Sequence, residues 1–147
     1  MSAFVPASVE RWRAAALAAS KAHPALQANE ILAIVWSESW GNPAAYNKHD
    51  PSWGLMGVSW LIAHAYGGFP AADDTWHEDG AKNLRCGTAY LADLKGKYEA
   101  AHPNGAWVAA YNAGETKFRA GFADQAYVDA FNAHLAALNA SAATATT

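Results

Sequence analysis

Apolar residues recur at helical spacing along most of the chain. Ile31, Ile34 and Val35 form one face of a helix predicted from about Leu26 to Trp40. The last predicted helix, about Asp124 to Leu138, repeats the spacing of i, i+3 and i+4, with Tyr127, Phe131, His134, Leu135 and Leu138 on one face. No segment alternates apolar and polar residues with the period of a β-strand. The pattern therefore predicts an all-α fold.

Glycine and proline divide the remaining sequence into shorter elements. Further helices are predicted at about Ser8 to Ala22, Ser59 to Tyr66, Glu78 to Tyr98 and Ala106 to Ala113. Breaks such as Gly41-Asn42-Pro43 separate the helices, and the polar segments Ala44 to Trp53 and Phe69 to Thr75 are predicted loops. Residues 1–139 are interpreted as one domain, and the low-complexity residues 140–147 as a disordered tail.

The composition is that of one folded domain. A chain of 147 residues can bury one core and is too short for two. Apolar residues make up 52% of the chain and charged residues 16%, which excludes disorder over its whole length. No window approaches the roughly 18 uninterrupted apolar residues of a membrane span. The alanine-rich run after Glu10 is short and weakly hydrophobic, so we interpret it as an amphipathic helix of the mature protein and not as a signal peptide.

The charge excludes one class of partner, and the aromatic residues favour another. The formal net charge is −3, and no basic stripe could neutralise phosphates, so nucleic acid is not an expected partner. Seven tryptophans are many for a chain of this length. Indole rings pack in cores, but they also stack on the flat apolar faces of sugars. The tryptophan content therefore favours carbohydrate binding.

Glu38 lies in an apolar setting near the predicted end of its helix. It falls between Trp36 and Trp40, just before the Gly41-Asn42-Pro43 break. If that helix is buried, desolvation and the negative end of the helix dipole both raise the pKa of the carboxyl. A glutamic acid that stays protonated near neutral pH can act as general acid in the cleavage of a glycosidic bond. The position alone also fits an ordinary exposed residue at a helix end.

Two other groups of polar side chains give weaker signals. Asp50 follows Glu38 in a polar loop, where it could orient a water molecule in a cleft or remain a solvated loop residue. A second group consists of Asp73, Asp74, His77, Glu78 and Asp79. Its spacing matches no standard set of metal ligands, and helix capping explains its acids better. We therefore expect no metal and no cofactor. Cys86 is the only cysteine, so an internal disulfide is excluded, and we expect a buried apolar residue there.

Short motifs follow one another along the chain in a family-specific order. They are Glu38-Ser39 with Asn42-Pro43, then Gly54-Leu55-Met56, then Asn83 with Gly87 and Tyr90-Leu91, then Ala110-Tyr111-Asn112-Ala113-Gly114, and finally Tyr127-Val128. This series resembles the soluble lytic transglycosylase (SLT) domain family, among the lysozyme-like folds that include the goose-type lysozymes. The resemblance covers roughly Ala25 to Phe131. It implies a compact lysozyme-like helical domain with a substrate cleft that acts on the glycan strands of bacterial peptidoglycan.

The resemblance implies a role for the residues that match. Glu38 stands where the family has its single catalytic acid. Gly54, Leu55 and Met56 match a segment that lines the sugar-binding groove, and a glycine there lets backbone amides approach a ligand closely.

Other matches lie later in the chain. Tyr111 and Asn112 match the motif whose tyrosine projects toward the acid, where a phenol could hydrogen-bond the acid or the substrate. Asp50, which belongs to none of the matched motifs, is a further candidate for substrate contact because it follows Glu38 in the polar loop. The scaffold matches, which we interpret as structural, are Asn83, Gly87, Tyr90 and Leu91.

The chain departs from the family pattern at three positions. Gly57 stands where the family usually has glutamine, so a contact to the acetamido group of the sugar is expected to be lost. Ser59 falls where goose-type lysozymes have an aspartate, and Asn47 roughly where many transglycosylases have a serine. These departures affect the subsites and the reaction outcome, but not the acid.

Three functional hypotheses follow. The first is a lytic transglycosylase that cleaves the β-1,4 bond between N-acetylmuramic acid and N-acetylglucosamine and forms 1,6-anhydro products. The second is an inverting lysozyme that hydrolyses the same bond with water positioned by Asp50. The third is a non-catalytic glycan-binding or phage structural module. We expect a monomer, encoded by a phage and made in the host cytoplasm or carried in the virion, that acts on periplasmic peptidoglycan.

Overall fold

The computed structural model describes residues 4–145, with side chains described through residue 142. Within that range the chain forms eight α-helices, which are α1 (Ala7–Glu10), α2 (Arg13–Ala22), α3 (Ala28–Ser39), α4 (Trp60–Gly67), α5 (Gly80–Tyr98), α6 (Ala109–Ala113), α7 (Glu115–Arg119) and α8 (Gln125–Ala145). Single 3₁₀ turns at Thr75–His77 and Ala106–Val108 precede α5 and α6. Two short strands, β1 (Tyr46–Asn47) and β2 (Ser52–Trp53), form an antiparallel hairpin. The predicted all-α class is confirmed.

Helix α3 is the central helix of the fold. Its residues from Glu30 to Trp36 are all buried, because α2 and α8 pack against it. Glu30 fixes the first turn, since its carboxylate accepts a hydrogen bond from the Gln27 amide at 2.8 Å. The same carboxylate forms an ion pair of 2.9 Å with Lys95 of α5. These contacts hold the start of α3 against the rest of the core.

The other end of α3 is anchored on two sides. The chain leaves the helix through Trp40 (φ 54°) and Gly41 (φ 79°), both in the left-handed region. The Gly41 carbonyl accepts hydrogen bonds from Trp12 Nε1 at 2.9 Å and Arg11 Nη2 at 3.0 Å. On the other side, Ser39 Oγ donates to the Leu55 carbonyl at 2.8 Å. The last turn of α3, which carries Glu38, is therefore fixed in position.

The first helix differs from the prediction. The sequence predicts one helix from Ser8 to Ala22, but the structure interrupts it at Arg11 and Trp12 between α1 and α2. Trp12 has φ −94° and ψ 8°, outside helical geometry. The physical reason is that both side chains turn toward Gly41 and bond its carbonyl, an interaction with a distant residue that local spacing does not reveal.

Three further boundaries also differ. The predicted loop Ala44 to Trp53 contains the hairpin of β1 and β2, and α7 occupies a segment for which no helix is predicted. Helix α8 continues to Ala145, beyond the predicted end at Leu138 and into the segment predicted as a tail. Residues 146 and 147 of that segment lie outside the described residues. No helix within residues 4–145 is long and apolar enough to cross a membrane.

Candidate active site

Two adjoining cavities form a groove along the hairpin and the end of α3, and a third cavity lies beside the hairpin. The hairpin cavity, of about 400 Å³, lies between β1, β2 and the turn before α5. The central cavity, of about 110 Å³, shares Tyr46 with the hairpin cavity. The helix-side cavity, of about 330 Å³, lies toward α4 and α6 and shares Glu38, Asn47, Ser52 and Gly57 with the central cavity. Glu38 thus lies within the groove, with space on both sides.

Glu38 is half-buried at the end of α3. Burial removes water from the carboxylate and is the main reason why the pKa of Glu38 rises from an ordinary 4.5 to about 7. The hydrogen bond from Tyr127 lowers this pKa, and the negative charge of Asp50 raises it further. The side chain therefore holds its proton near neutral pH and still reaches the groove, as a general acid must.

Tyr127 of α8 holds one oxygen of the acid. Its hydroxyl donates to Glu38 Oε1 at 2.7 Å across the contact between α8 and α3. Burial and the adjacent Glu38 charge raise the pKa of Tyr127 well above its usual value, so the phenol remains a donor. Sequence reasoning placed Tyr127 in the apolar face of its helix and in a motif, but not in the site. With Oε1 engaged in this way, Oε2 is the oxygen that remains for proton transfer.

Gly57 faces that second oxygen. A Cβ atom at this position would lie 2.5 Å from Glu38 Oε2, and the backbone there has φ 60°. Both facts favour glycine, because a side chain would collide with the acid and strain the backbone. The sequence predicts that glycine at this position loses a contact to the sugar, and the structure shows that it also lies against the acid. In this chain the lack of a side chain at position 57 lets the backbone lie close to the acid without a collision.

The Gly54-Leu55-Met56 segment lies behind the groove, and most of it packs into the core. Leu55 and Met56 are 0% exposed, so their side chains belong to the core and do not line the groove as the predicted substrate-binding role would require. Gly54 lines the central cavity, but the close backbone approach there is to Asn83, which leaves no room for a Cβ. Asn83 Oδ1 accepts from the Met56 amide at 2.9 Å, and its Nδ2 donates to the Trp53 carbonyl at 2.7 Å.

Tyr111 and Asn112 lie on the α6 side of the helix-side cavity. The Tyr111 hydroxyl donates to the Met56 carbonyl at 2.6 Å, so its hydrogen bond goes to the groove floor and not to the acid. Its ring is 7% exposed and packs against Tyr90, with ring centroids 5.4 Å apart. Asn112 is exposed to the groove. Substrate contact by these two residues stays a prediction.

Polar residues on the opposite wall come from the hairpin and the start of α4. Asp50 is exposed in the turn between β1 and β2 and lines the same cavity as Glu38. Asn47 accepts from the His49 amide at 3.1 Å, which shapes that turn. Ser59 caps α4, since its Oγ accepts from the Ile62 amide at 3.3 Å. Apart from Glu38, Asp50 is the acidic residue that lines the helix-side cavity.

Asp73, Asp79 and the single cysteine have structural roles. Asp73 Oδ1 accepts from the Thr75 amide at 3.0 Å, and Asp79 Oδ1 accepts from the Lys82 amide at 3.1 Å, which caps α5. No group of three or more His, Cys, Asp or Glu side chains in residues 4–145 is arranged to hold a metal ion. Cys86 is 1% exposed, and burial raises the pKa of its thiol.

Comparison with known protein families identifies the family of the chain. A sequence model of the family described as the Transglycosylase SLT domain matches residues 15–133, which is most of the chain. The chain belongs to the SLT family. The resemblance seen in the motifs is therefore confirmed, and with it the lysozyme-like helical fold. Members of the SLT family are peptidoglycan lytic transglycosylases, so the chain is an enzyme that acts on peptidoglycan. A search of curated proteins finds no match to this chain.

Proposed function

We propose that this SLT enzyme cleaves the β-1,4 bond between N-acetylmuramic acid and N-acetylglucosamine with Glu38 as its general acid. One observation carries the proposal. Glu38 lies in the groove, and the pKa of its carboxyl is raised to about 7, while Tyr127 holds Oε1. The proton on Oε2 would pass to the glycosidic oxygen and allow the leaving sugar to depart as an alcohol.

The second half of the reaction needs no second carboxylate. The acetamido oxygen of the muramoyl sugar assists departure by bonding to C1. The C6 hydroxyl of the same sugar then attacks C1, displaces the acetamido oxygen and closes the 1,6-anhydro ring. Glu38, now ionised, takes the proton of that hydroxyl and returns to its starting state. The internal hydroxyl acts at high effective concentration, which favours it over water.

Removal of the Tyr127 hydroxyl is expected to change the pH dependence of cleavage. The hydrogen bond lowers the pKa of Glu38, so in Tyr127→Phe that pKa should rise above about 7. A general acid loses activity as pH rises through its pKa, so the alkaline limb of the pH profile should move to higher pH. We also expect about a tenfold loss of rate, because one charge-assisted hydrogen bond no longer orients the acid. The measurement is the initial rate of wall digestion across pH.

A matched control is available in the same chain. Tyr98 donates a hydrogen bond of 2.6 Å to Glu115, the same pair of groups as Tyr127 and Glu38, but outside the groove. Tyr98→Phe should leave the pH profile unchanged. An alkaline limb that stays at its wild-type position in Tyr127→Phe would show that this hydrogen bond does not tune the acid.

A hydrolytic outcome is the second candidate, and one observation favours it. Asp50 lines the helix-side cavity with Glu38, and its charge contributes to the raised pKa of Glu38. A carboxylate across the groove from the acid could activate water, as in inverting glycosidases. Under the transglycosylase proposal Asp50 has no chemical step.

The products and the Asp50→Asn variant distinguish the two outcomes. We expect muropeptides that are one water lighter than hydrolysis products, detected by mass spectrometry of purified peptidoglycan digests. Asp50→Asn should lose less than about tenfold in rate. Its alkaline limb should move to lower pH, because a charge that raises the pKa of Glu38 is removed. Reducing-end muramic acid as the main product, together with an inactive Asp50→Asn, would make the protein a lysozyme.

The biological setting is also part of the proposal. We expect the source to be a phage lysis system or a virion that carries the enzyme, since both need a domain that digests the wall. We expect a monomer, because the groove is built within one chain. The third hypothesis, a non-catalytic module, is not retained because the chain belongs to a family of enzymes.

A further inference from the structure

We propose that Asp93 of α5 is a positioning residue, which holds the two walls of the helix-side cavity in place and so sets how tightly a glycan strand is bound beside Glu38. This inference rests on the proposed function. One wall is the start of α4, which contributes Ile62, and the other is the end of α6 with the joint to α7, which contributes Gly114. We call the residues that connect these walls behind the groove the wall network: Tyr66 of α4, Asp93 and Lys97 of α5, and Glu115 of α7.

The wall network runs from α4 to α7 across α5. The Tyr66 hydroxyl donates to Asp93 Oδ2 at 2.6 Å. Lys97 Nζ, one turn further along α5, lies 3.0 Å from the same oxygen of Asp93 and 3.4 Å from the carboxylate of Glu115. The hydrogen bond from Tyr66 lowers the pKa of Asp93, and the adjacent Lys97 lowers it further, so Asp93 is ionised at neutral pH. An ionised acceptor strengthens the short hydrogen bond that joins α4 to α5.

Helix α4 depends on this contact because it is short. Ser59 caps its start, and the chain turns away after its last residue at Gly68, which has φ 71°. Tyr66 lies one turn after Ile62, so its hydroxyl holds the end of the helix whose start lines the cavity. The Tyr66 ring also packs against Tyr90, with ring centroids 5.1 Å apart. Packed rings can slide past each other, whereas the hydrogen bond fixes the position of α4 along α5.

The opposite wall contains a glycine joint. Gly114 connects α6 to α7 with φ 84°, and a Cβ there would meet no atom of the described residues within 4 Å. Because glycine allows many backbone conformations, the position of this wall depends on the contacts of its neighbours. Glu115 follows directly and is held on α5 by Lys97 and by the hydroxyl of Tyr98. Since Lys97 also bonds Asp93, one set of contacts on α5 holds both walls.

The wall network is expected to act on substrate binding more than on stability. The cavity between the walls has a volume of about 330 Å³, so its width depends on how the walls are held. A strand that binds between walls already in place loses less free energy to ordering the protein. The Asp93 and Lys97 side chains are 35% and 47% exposed, and ion pairs this exposed contribute little to the free energy of unfolding. Loss of the network should therefore weaken binding in a protein that remains folded.

The first test separates KM from kcat with soluble, uncrosslinked glycan strands as substrate. Tyr66→Phe and Asp93→Ala should each raise KM about fivefold and leave kcat within about twofold of wild type. The reason for the small change in kcat is that Glu38 and its partner Tyr127 lie on α3 and α8, outside the wall network. The double variant should resemble Asp93→Ala, because both substitutions remove the same hydrogen bond.

Asp129→Ala is the matched control for Asp93→Ala. It also removes an aspartate from a long helix with the same change in net charge, but Asp129 bonds Gln125 on α8 and lines none of the three cavities. Its KM should equal that of the wild type. A purely structural role of Asp93 would lower Tm and leave the KM of the folded protein unchanged, and that result would overturn the proposal.

The second test measures the distance between the walls and needs no turnover. Spin labels at Ala65→Cys on α4 and Thr116→Cys on α7 occupy exposed positions that do not line the helix-side cavity, and the native Cys86 is 1% exposed. Electron paramagnetic resonance should give a broader distribution of label distances when Asp93→Ala is added, and an unchanged distribution when Asp129→Ala is added.

Failure of this proposal is distinguishable from failure of the proposed function. A distribution that keeps its wild-type width in Asp93→Ala would overturn the positioning role and leave digestion by the wild-type enzyme intact. Full digestion by Glu38→Gln would instead contradict the proposed function, and the distance between the labels on α4 and α7 would remain measurable.

Discussion

Glu38→Gln is expected to reduce the rate of wall digestion at least 100-fold. Glutamine is nearly isosteric with glutamate and can still accept the hydrogen bond from Tyr127, so the groove should keep its shape. It cannot donate a proton to the glycosidic oxygen or take one back from the C6 hydroxyl. The measurement is the initial rate of release of soluble muropeptides from purified peptidoglycan.

Glu38→Gln is also expected to gain stability relative to the wild type as pH rises. The pKa of Glu38 is about 7 in the folded protein and near 4.5 when unperturbed, so between these values the folded state binds more protons than the unfolded state. Wild-type stability should therefore decrease as pH rises from about 4.5 to about 7, and glutamine lacks this dependence. The difference in Tm between Glu38→Gln and wild type should grow in favour of the variant over that interval.

Glu99→Gln is the control for both measurements. Glu99→Gln changes an exposed carboxyl at the end of α5 and should leave both the rate and the pH dependence of Tm at wild-type values. Near wild-type digestion by Glu38→Gln would exclude Glu38 as the acid. A Tm difference that is constant with pH would contradict the raised pKa.

The helical fold was predictable because its main signals are local. The buried face of α3 repeats Ile31, Ile34 and Val35 at helical spacing, and Gly41 with Pro43 marks its end. The break between α1 and α2 was not predictable, because Arg11 and Trp12 leave the helix to bond a carbonyl about thirty residues away. The hairpin was also missed, since strands of two residues are too short to show a period of two.

The sequence predicts Glu38 as the acid of the candidate site, but it predicts the residues around Glu38 only in part. The apolar neighbours of Glu38 and its place in the last turn of the predicted helix indicate a raised pKa from the sequence alone. The Gly-Leu-Met motif identifies a segment next to the acid, but Leu55 and Met56 face the core, which the motif alone does not reveal. Tyr127 is separated from Glu38 by most of the chain, so only the packing of α8 on α3 brings them together.

Gly57→Ala is expected to reduce the digestion rate about 100-fold, although it adds only one methyl group. The new Cβ would lie 2.5 Å from Glu38 Oε2, so the acid or the turn must shift. Tyr127 holds Oε1, and Ser39 ties the last turn of α3 to Leu55, so the acid can move only by breaking these contacts. A displacement of about 1 Å at a reacting group can cost about 100-fold in rate.

Gly68→Ala is the matched control for this prediction. Gly68 has φ 71°, close to the φ of 60° at Gly57, but a Cβ there would meet no atom within 4 Å. Alanine should therefore cost both positions a similar backbone strain of about 1 kcal/mol, and Gly57→Ala should lose further stability because its Cβ collides with Glu38. Only Gly57→Ala should also lose activity, because only there does the methyl group reach the acid. Equal digestion rates for the two variants would show that cleavage does not require position 57 to lack a side chain.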